Sequence, residues 1–237
     1  MRPFLTWCLS HKVLLILSAA GVILIVEFFT LPSLGEIDRL STVNPQVTAL
    51  MRERSDEAAA KRRPFSIHRD WVPLSGISED LRHAIIVGED GTFFEHEGVD
   101  WYEMKESIKK DIERGKLVRG GSTITQQLAK NLFLSTSKDP MRKLKELLIT
   151  WRMEDRLSKD RILEIYLNCI EWGDGIFGAE AASETYFGKH ASDIDREEAA
   201  RLAAVVPSPL KHHPNQDDRF VLYRTDVILG RMEGRGW

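Results

Sequence analysis

The stretch Gly88-Glu-Asp-Gly-Thr-Phe-Phe-Glu-His-Glu-Gly-Val-Asp100 carries the reading of the whole chain. It gathers carboxylates at 89, 90, 95, 97 and 100 around His96, Phe93 and Phe94, behind an apolar run that includes Leu81, Ala84 and Ile85. Ser78 suits the N-cap of a helix through that run, and Gly88 is a natural place for it to stop. Glu89 then sits at a helix C-terminus beside bulky aromatics. Loss of water and the negative end of the helix dipole both raise a carboxyl pKa there, which suits a proton acceptor working near neutral pH. An acidic loop after a helix is otherwise an ordinary solvated feature, so the rest of the chain has to decide.

Downstream, a mixed segment from Trp101 to Val118 leads into Arg119-Gly-Gly-Ser-Thr-Ile-Thr-Gln-Gln-Leu-Ala-Lys-Asn-Leu-Phe-Leu134. Gly120 and Gly121 let backbone approach a ligand closely, and Thr123 with Gln126 resembles a capping box. Ile124, Leu128 and Leu132 recur every four residues as a buried stripe, with Gln127, Lys130 and Asn131 on the other side. The next helix puts Leu144, Leu147, Leu148 and Trp151 on one face and Arg142, Lys143 and Glu146 on the other. With Lys130 and Lys138 upstream, four cations can converge near one carboxylate, a cluster suited to phosphate or pyrophosphate. Taken alone, such a helix is an exposed one with ordinary ion pairs.

Ser158 caps a further helix, Lys159 to Asn168, with Ile162, Leu163, Tyr166 and Leu167 as core. A glycine-rich turn (Gly173, Gly175, Gly178), an alanine-rich helix ending before Pro207 and a last amphipathic helix from Phe220 to Met232 follow. No strand alternation of any length is evident, and the fold class is mainly α.

The N-terminal side reads differently. Val13 to Val26 is apolar apart from small residues, and Phe28 to Leu31 extend it past Glu27. That is about the ~20 residues needed to cross a bilayer. Arg2 and Lys12 precede it, so the N-terminus (1–12) is expected in the cytoplasm and everything after the anchor (13–31) outside it. With no small-x-small cleavage site after the run, a retained anchor is expected in place of a signal peptide. Residues 32–70 turn polar. Asn44-Pro45 can start a helix, and the charge-rich run Glu53 to Arg63 reads as a solvated stalk ended by Pro64, before a compact domain over 71–237. With 43% hydrophobic and 29% charged residues the composition is that of a globular protein, and a net charge of -3 gives no hint of nucleic acid. Cys8 and Cys169 have no metal-ligand spacing and flank the apolar segment, which makes a disulfide between them improbable.

Four motifs stand in order: Glu89-Asp90-x-x-Phe93-x-x-His96-x-Gly98, Gly120-Gly-Ser-Thr-Ile-Thr-Gln-Gln127, Arg142-Lys143-x-x-Glu146 and Ile162-Leu-Glu-x-Tyr-Leu-Asn168. Together they resemble the peptidoglycan glycosyltransferases, over roughly Trp71 to Met232, and the chain looks like the monofunctional biosynthetic type. The resemblance implies a lysozyme-like helical domain on a single-pass bacterial inner-membrane anchor, facing outward. It implies polymerisation of lipid II, with the growing lipid-linked strand as donor and release of undecaprenyl pyrophosphate. Glu89 matches the general base of an inverting displacement that forms a β-1,4 bond. Glu146 matches the second cleft glutamate, in support of the phosphate-binding cations. Lys130, Arg142 and Lys143 match cations near the donor pyrophosphate, and Gln127 a polar cleft residue. Asp90, Phe93, Gly98, Gly120, Gly121, Ser122 and Thr123 lie near the site, and His96 and Asn168 are expected to order loops. Lys138 departs from the family pattern, which has an arginine there. The resemblance firmly requires no cofactor and allows a divalent cation, magnesium or manganese. As partners it implies the membrane and lipid II, leaves room for other cell-wall synthesis or division proteins, and includes no nucleic acid. A glycan hydrolase also uses a glutamate in a helical domain but needs no pyrophosphate cations. A catalytically dead scaffold has no need of Glu89, Lys130 and Glu146.

Overall fold

The computed structural model describes residues 29–114, 121–137 and 139–237, with positions 18, 21 and 27; at 108 and 110–114 it describes backbone alone. The expected cytoplasmic N-terminus, most of the expected anchor, Gly120 and Lys138 lie outside the described residues. Among those residues no helix is long and apolar enough to cross a membrane.

The fold is mainly helical: α1 (Leu34–Arg39), α2 (Ala49–Ala60), α3 (Glu79–Glu89), α4 (Trp101–Arg114), α5 (Ile124–Phe133), α6 (Pro140–Arg156), α7 (Lys159–Cys169), a hairpin of β1 (Glu171–Gly173) and β2 (Ile176–Phe177), α8 (Ala179–Phe187), α9 (Arg196–Val205) and α10 (Arg219–Glu233). The starts follow their caps. Ser78, Thr123 and Ser158 each accept a backbone N–H from the first turn of α3, α5 and α7, and Asp195 and Asp218 do so for α9 and α10. Each such cap is worth about 1 kcal/mol.

Among the described residues the larger apolar core runs through the helices, including Leu81, Ile85, Ile124, Leu128, Ile149, Ile162, Tyr166, Leu202 and Ile228, and a small second cluster joins Leu50, Met51 and Phe177. Helix α9 packs on both α3 and α10, while α5 packs on α6 and α7. Two groups of helices therefore meet where α3 ends and α5 begins. Trp172, wholly buried, ties the hairpin to α9 through an indole N–H donated to the Leu202 carbonyl at 3.0 Å.

Three features depart from the sequence reading. The hairpin is real but too short for any alternation to register, and all of β1 is buried. The segment from Trp101 is a helix as far as Arg114; it escapes a core-seeking reading because Trp101 and Tyr102 stand mostly exposed. The polar run after residue 32 is not a solvated stalk. Its helix starts at Thr48, whose hydroxyl accepts the Met51 N–H at 3.1 Å, not at Asn44-Pro45. Ile37 and Met51 are fully buried, α1 packs on α6 and α2 on α5. Charged groups dock this run: Arg54 forks onto Glu171 at 2.9 Å, Arg69 donates to the Pro45 and Gln46 carbonyls, and Arg161 donates to the Leu40 carbonyl.

Helix α6 also turns a surprising side inward. Its buried positions are Glu146, Ile149, Thr150 and Met153, while Leu144 and Trp151 of the apolar face stay more than 40% exposed.

Candidate active site

Glu89 is the last residue of α3, and its side chain is only 10% exposed. One carboxylate oxygen accepts the Gln127 side-chain N–H at 2.9 Å, and the other faces Arg224 Nη2 at 3.3 Å. Gln127 is itself oriented: the Tyr166 hydroxyl donates to its Oε1 at 2.9 Å, which leaves the amide nitrogen to face Glu89. Burial, with the Glu89 and Asp90 charges nearby, pushes the Tyr166 phenol well above its ordinary value, so it stays a donor. Burial raises the Glu89 pKa above the ordinary carboxylate value, and the Gln127 hydrogen bond and the Arg224 and Lys130 charges oppose that rise. The result is a proton acceptor less ready to ionise than an exposed glutamate.

Asp90 joins the two loops around this group. Its Oδ2 accepts the Ile124 N–H at 2.9 Å, one of the unpaired donors at the start of α5, where a carboxylate also meets the positive end of the helix. His96 Nε2 lies 2.9 Å from Asp90 Oδ1, and Nδ1 takes the Gly98 N–H at 3.1 Å. With Nδ1 accepting, Nε2 carries the proton and donates to Asp90. Thr123 completes the junction by donating to the Gly98 carbonyl at 2.6 Å, while its capping box with Gln126 closes the start of α5. Gly98 has φ +85°, and a Cβ there would stand 2.7 Å from Thr150 Cγ2 and 2.8 Å from Glu154 Cγ. Phe93 is fully buried, with the Lys159 ammonium 4.6 Å from its ring centre.

Glu146 forms the second centre. It is buried, pairs with Arg142 at 2.6 Å and is bonded by Lys143, whose ammonium also reaches the exposed Ser122 hydroxyl at 3.2 Å. Gly121 is exposed beside Ser122. Burial lowers the Lys130 pKa, Glu146 and Glu89 raise it, and Arg142 and Lys143 lower it. Lys130 thus lies within electrostatic reach of both carboxylates and links the two centres. Asn168 stands apart from them. Its amide exchanges hydrogen bonds with the Val72 backbone at 3.0 and 2.9 Å and donates to the Glu164 carbonyl, which fastens the start of the domain to α7.

The transglycosylase family model matches residues 56–233. A biosynthetic peptidoglycan transglycosylase of Nitrosospira multiformis is 49% identical over 80% of this chain and 82% of its own. Proteins of the same description from Janthinobacterium sp. (strain Marseille) and Aromatoleum aromaticum are 42% and 47% identical. They cover 98% and 86% of this chain, and 96% and 86% of theirs. The chain belongs to this family. It is a peptidoglycan glycosyltransferase.

In this transglycosylase the sequence-selected residues Glu89, Gln127, Lys130, Arg142, Lys143 and Glu146 come together, with Asp90, His96, Gly98 and Thr123 behind them. Two residues escaped the sequence reading. Tyr166 was assigned to the core, although a buried tyrosine hydroxyl needs a partner, and that need was the available signal. Arg224 lies far downstream in an amphipathic helix, and no local pattern sets it apart. Cys169 is fully buried with its thiol pushed up to about 12, chiefly by burial, and is inert. Among the described residues, the three-ligand grouping that could hold a metal ion is Glu180, Glu184 and His190, and it includes neither Glu89 nor Glu146.

Proposed function

We propose that the transglycosylase polymerises lipid II into β-1,4-linked glycan strands and releases undecaprenyl pyrophosphate, with Glu89 as the general base. The acceptor 4-hydroxyl attacks the donor anomeric carbon from the face opposite the pyrophosphate. Glu89 takes the hydroxyl proton as the carbon–oxygen bond forms. The bond to the pyrophosphate breaks with its electron pair on the leaving group, so the configuration inverts. Lys130, Arg142 and Lys143 meet the negative charge that develops there, and Lys138 is proposed as a fourth cation. Charges aimed at a leaving group stabilise the transition state more than the ground state, and that difference accelerates the reaction.

The observation that carries this reading is the pairing of two unlike centres. One is a buried carboxyl with a raised pKa, met by Gln127 at 2.9 Å and by the Arg224 guanidinium at 3.3 Å. The other is a cation cluster oriented by Glu146. Lys130 stands within reach of both. A divalent cation fits only as a companion of the substrate phosphates, because both site carboxylates already hold protein donors.

The membrane belongs to the same proposal. The apolar run 13–31 is read as a retained anchor with the catalytic domain outside the cytoplasm. Its far end gives support: Glu27 pairs with Lys145 of α6, Thr30 accepts from the same ammonium at 2.7 Å, and the Pro32 carbonyl accepts from Arg152 at 2.8 Å. Helix α6 also bears Arg142, Lys143 and Glu146, so a lipid-linked substrate would meet the cations close to the bilayer.

Labelled lipid II, incubated with the wild-type protein and with Glu89→Gln, tests the reading. The variant is expected to bind substrate but lose at least ~10²-fold in polymerisation, the usual cost of removing a general base. Near-normal turnover would remove Glu89 from that role.

A further inference from the structure

We propose that Arg224, on the last helix, is a positioning residue for Glu89, holding the carboxylate in place and keeping it in the ionised form that accepts a proton. The inference rests on the reading of Glu89 as base. Arg224, Ile228 and Arg231 are four and three residues apart and share one face of α10. Each meets a different residue of the turn that ends α3. Arg231 donates to the Val87 carbonyl at 2.9 Å, satisfying a last-turn acceptor that the helix itself leaves open. Ile228 packs under Gly88, where a Cβ would stand 3.4 Å from its Cδ1. Arg224 faces the Glu89 carboxylate at 3.3 Å. The base is thus gripped at backbone, α-carbon and side chain by a helix that begins 130 positions further along the chain.

The grip is costly for Arg224. Burial lowers its pKa, and its Nε is buried without a hydrogen-bond partner among the described residues. A partly desolvated guanidinium held by one 3.3 Å contact to a carboxylate, with the Phe220 ring centre 5.9 Å away, is a poor stabilising device. As a charge beside a base it has a clear use. The groups facing Glu89 are Gln127 and Lys130 from α5, Tyr166 of α7 through Gln127, the adjacent Asp90, and Arg224 from α10. Lys130 also answers to Glu146 and, in the proposed reaction, to the departing phosphates. Arg224 is then the cation that remains with Glu89. It opposes the burial that would leave the base protonated, and after each transfer it favours release of the proton to solvent.

The test is the pH dependence of kcat/KM for lipid II polymerisation in the full chain, with melting temperatures alongside. Arg224→Met should move the acid limb to higher pH, giving a deficit of roughly tenfold or more on the acid side that shrinks as pH rises. Arg224→Gln should do the same if the methionine variant folds poorly, whereas Arg224→Lys should keep the limb near that of wild type. Arg231→Met, which removes a cation from the same face without touching the carboxylate, should lower the melting temperature and leave the limb in place. An unshifted limb in both Arg224→Met and Arg224→Gln, or an equal loss at every pH, overturns the proposal. Full activity of Glu89→Gln would instead overturn the base assignment beneath it.

Discussion

Lys130 and Glu89 carry opposite charges in the same desolvated cleft, so burial pushes their pKa values toward each other, Glu89 up and Lys130 down. Below the raised Glu89 value the base is protonated and idle; above the lowered Lys130 value the cation is gone. We therefore expect a bell-shaped pH profile narrower than exposed glutamate and lysine would give. Lys130→Arg should abolish the alkaline limb at a lower maximal rate, since a guanidinium keeps its charge but has a different shape. Steady-state rates across pH check both points, and an alkaline limb unchanged by the substitution would assign it to another group. At this scale local motifs reach residues that the fold gathers, but not all of their partners. Glu89, Lys130 and Glu146 were selected from their neighbours in the chain. The partners that tune Glu89 were not, because Tyr166 and Arg224 reach it across 77 and 135 positions, and no local spacing records that.

The junction between α3 and α5 depends on one backbone conformation. Gly98 adopts a positive φ with Thr150 and Glu154 filling the space where a Cβ would go. Gly98→Ala should therefore destabilise the fold by about 1–3 kcal/mol. It should also lower activity, since the His96 and Thr123 contacts that steady Asp90 and the start of α5 both run through residue 98. Urea unfolding measures the first effect, and a variant as stable as wild type would show that the loop relaxes freely. Capped elements were legible in the chain because a cap is a local hydrogen bond, as at Ser78, Thr123 and Ser158. Helix α4 was not, since its exposed aromatics do not trace a core stripe. On α6 periodicity found both faces but could not tell which one turns inward. The side bearing Glu146, Ile149, Thr150 and Met153 does, with Arg142 and Lys143 beside Glu146 to compensate its burial.

For the whole molecule, the charge-rich run before residue 70 is structural. Arg54→Met leaves Glu171 buried without its partner and should cost about 3 kcal/mol, the scale for breaking a buried pair. Chemical denaturation checks this, and a loss near zero would return the run to a passive linker. The proposed topology makes a separate demand: a reporter fused after Trp237 should be active only outside the cytoplasm, and activity inside would refute it. What the sequence determined by itself was whatever depends on near neighbours: the helical class, the caps, the motif residues and an apolar run long enough for a bilayer. Tertiary structure decided what depends on distant partners. It docked residues 33–63 on the domain, where scattered apolar anchors such as Ile37 and Met51 act together with ion pairs such as Arg54 with Glu171. It also brought α10 against the end of α3, so that the environment of Glu89 is set in part by a helix whose own sequence gives no sign of it.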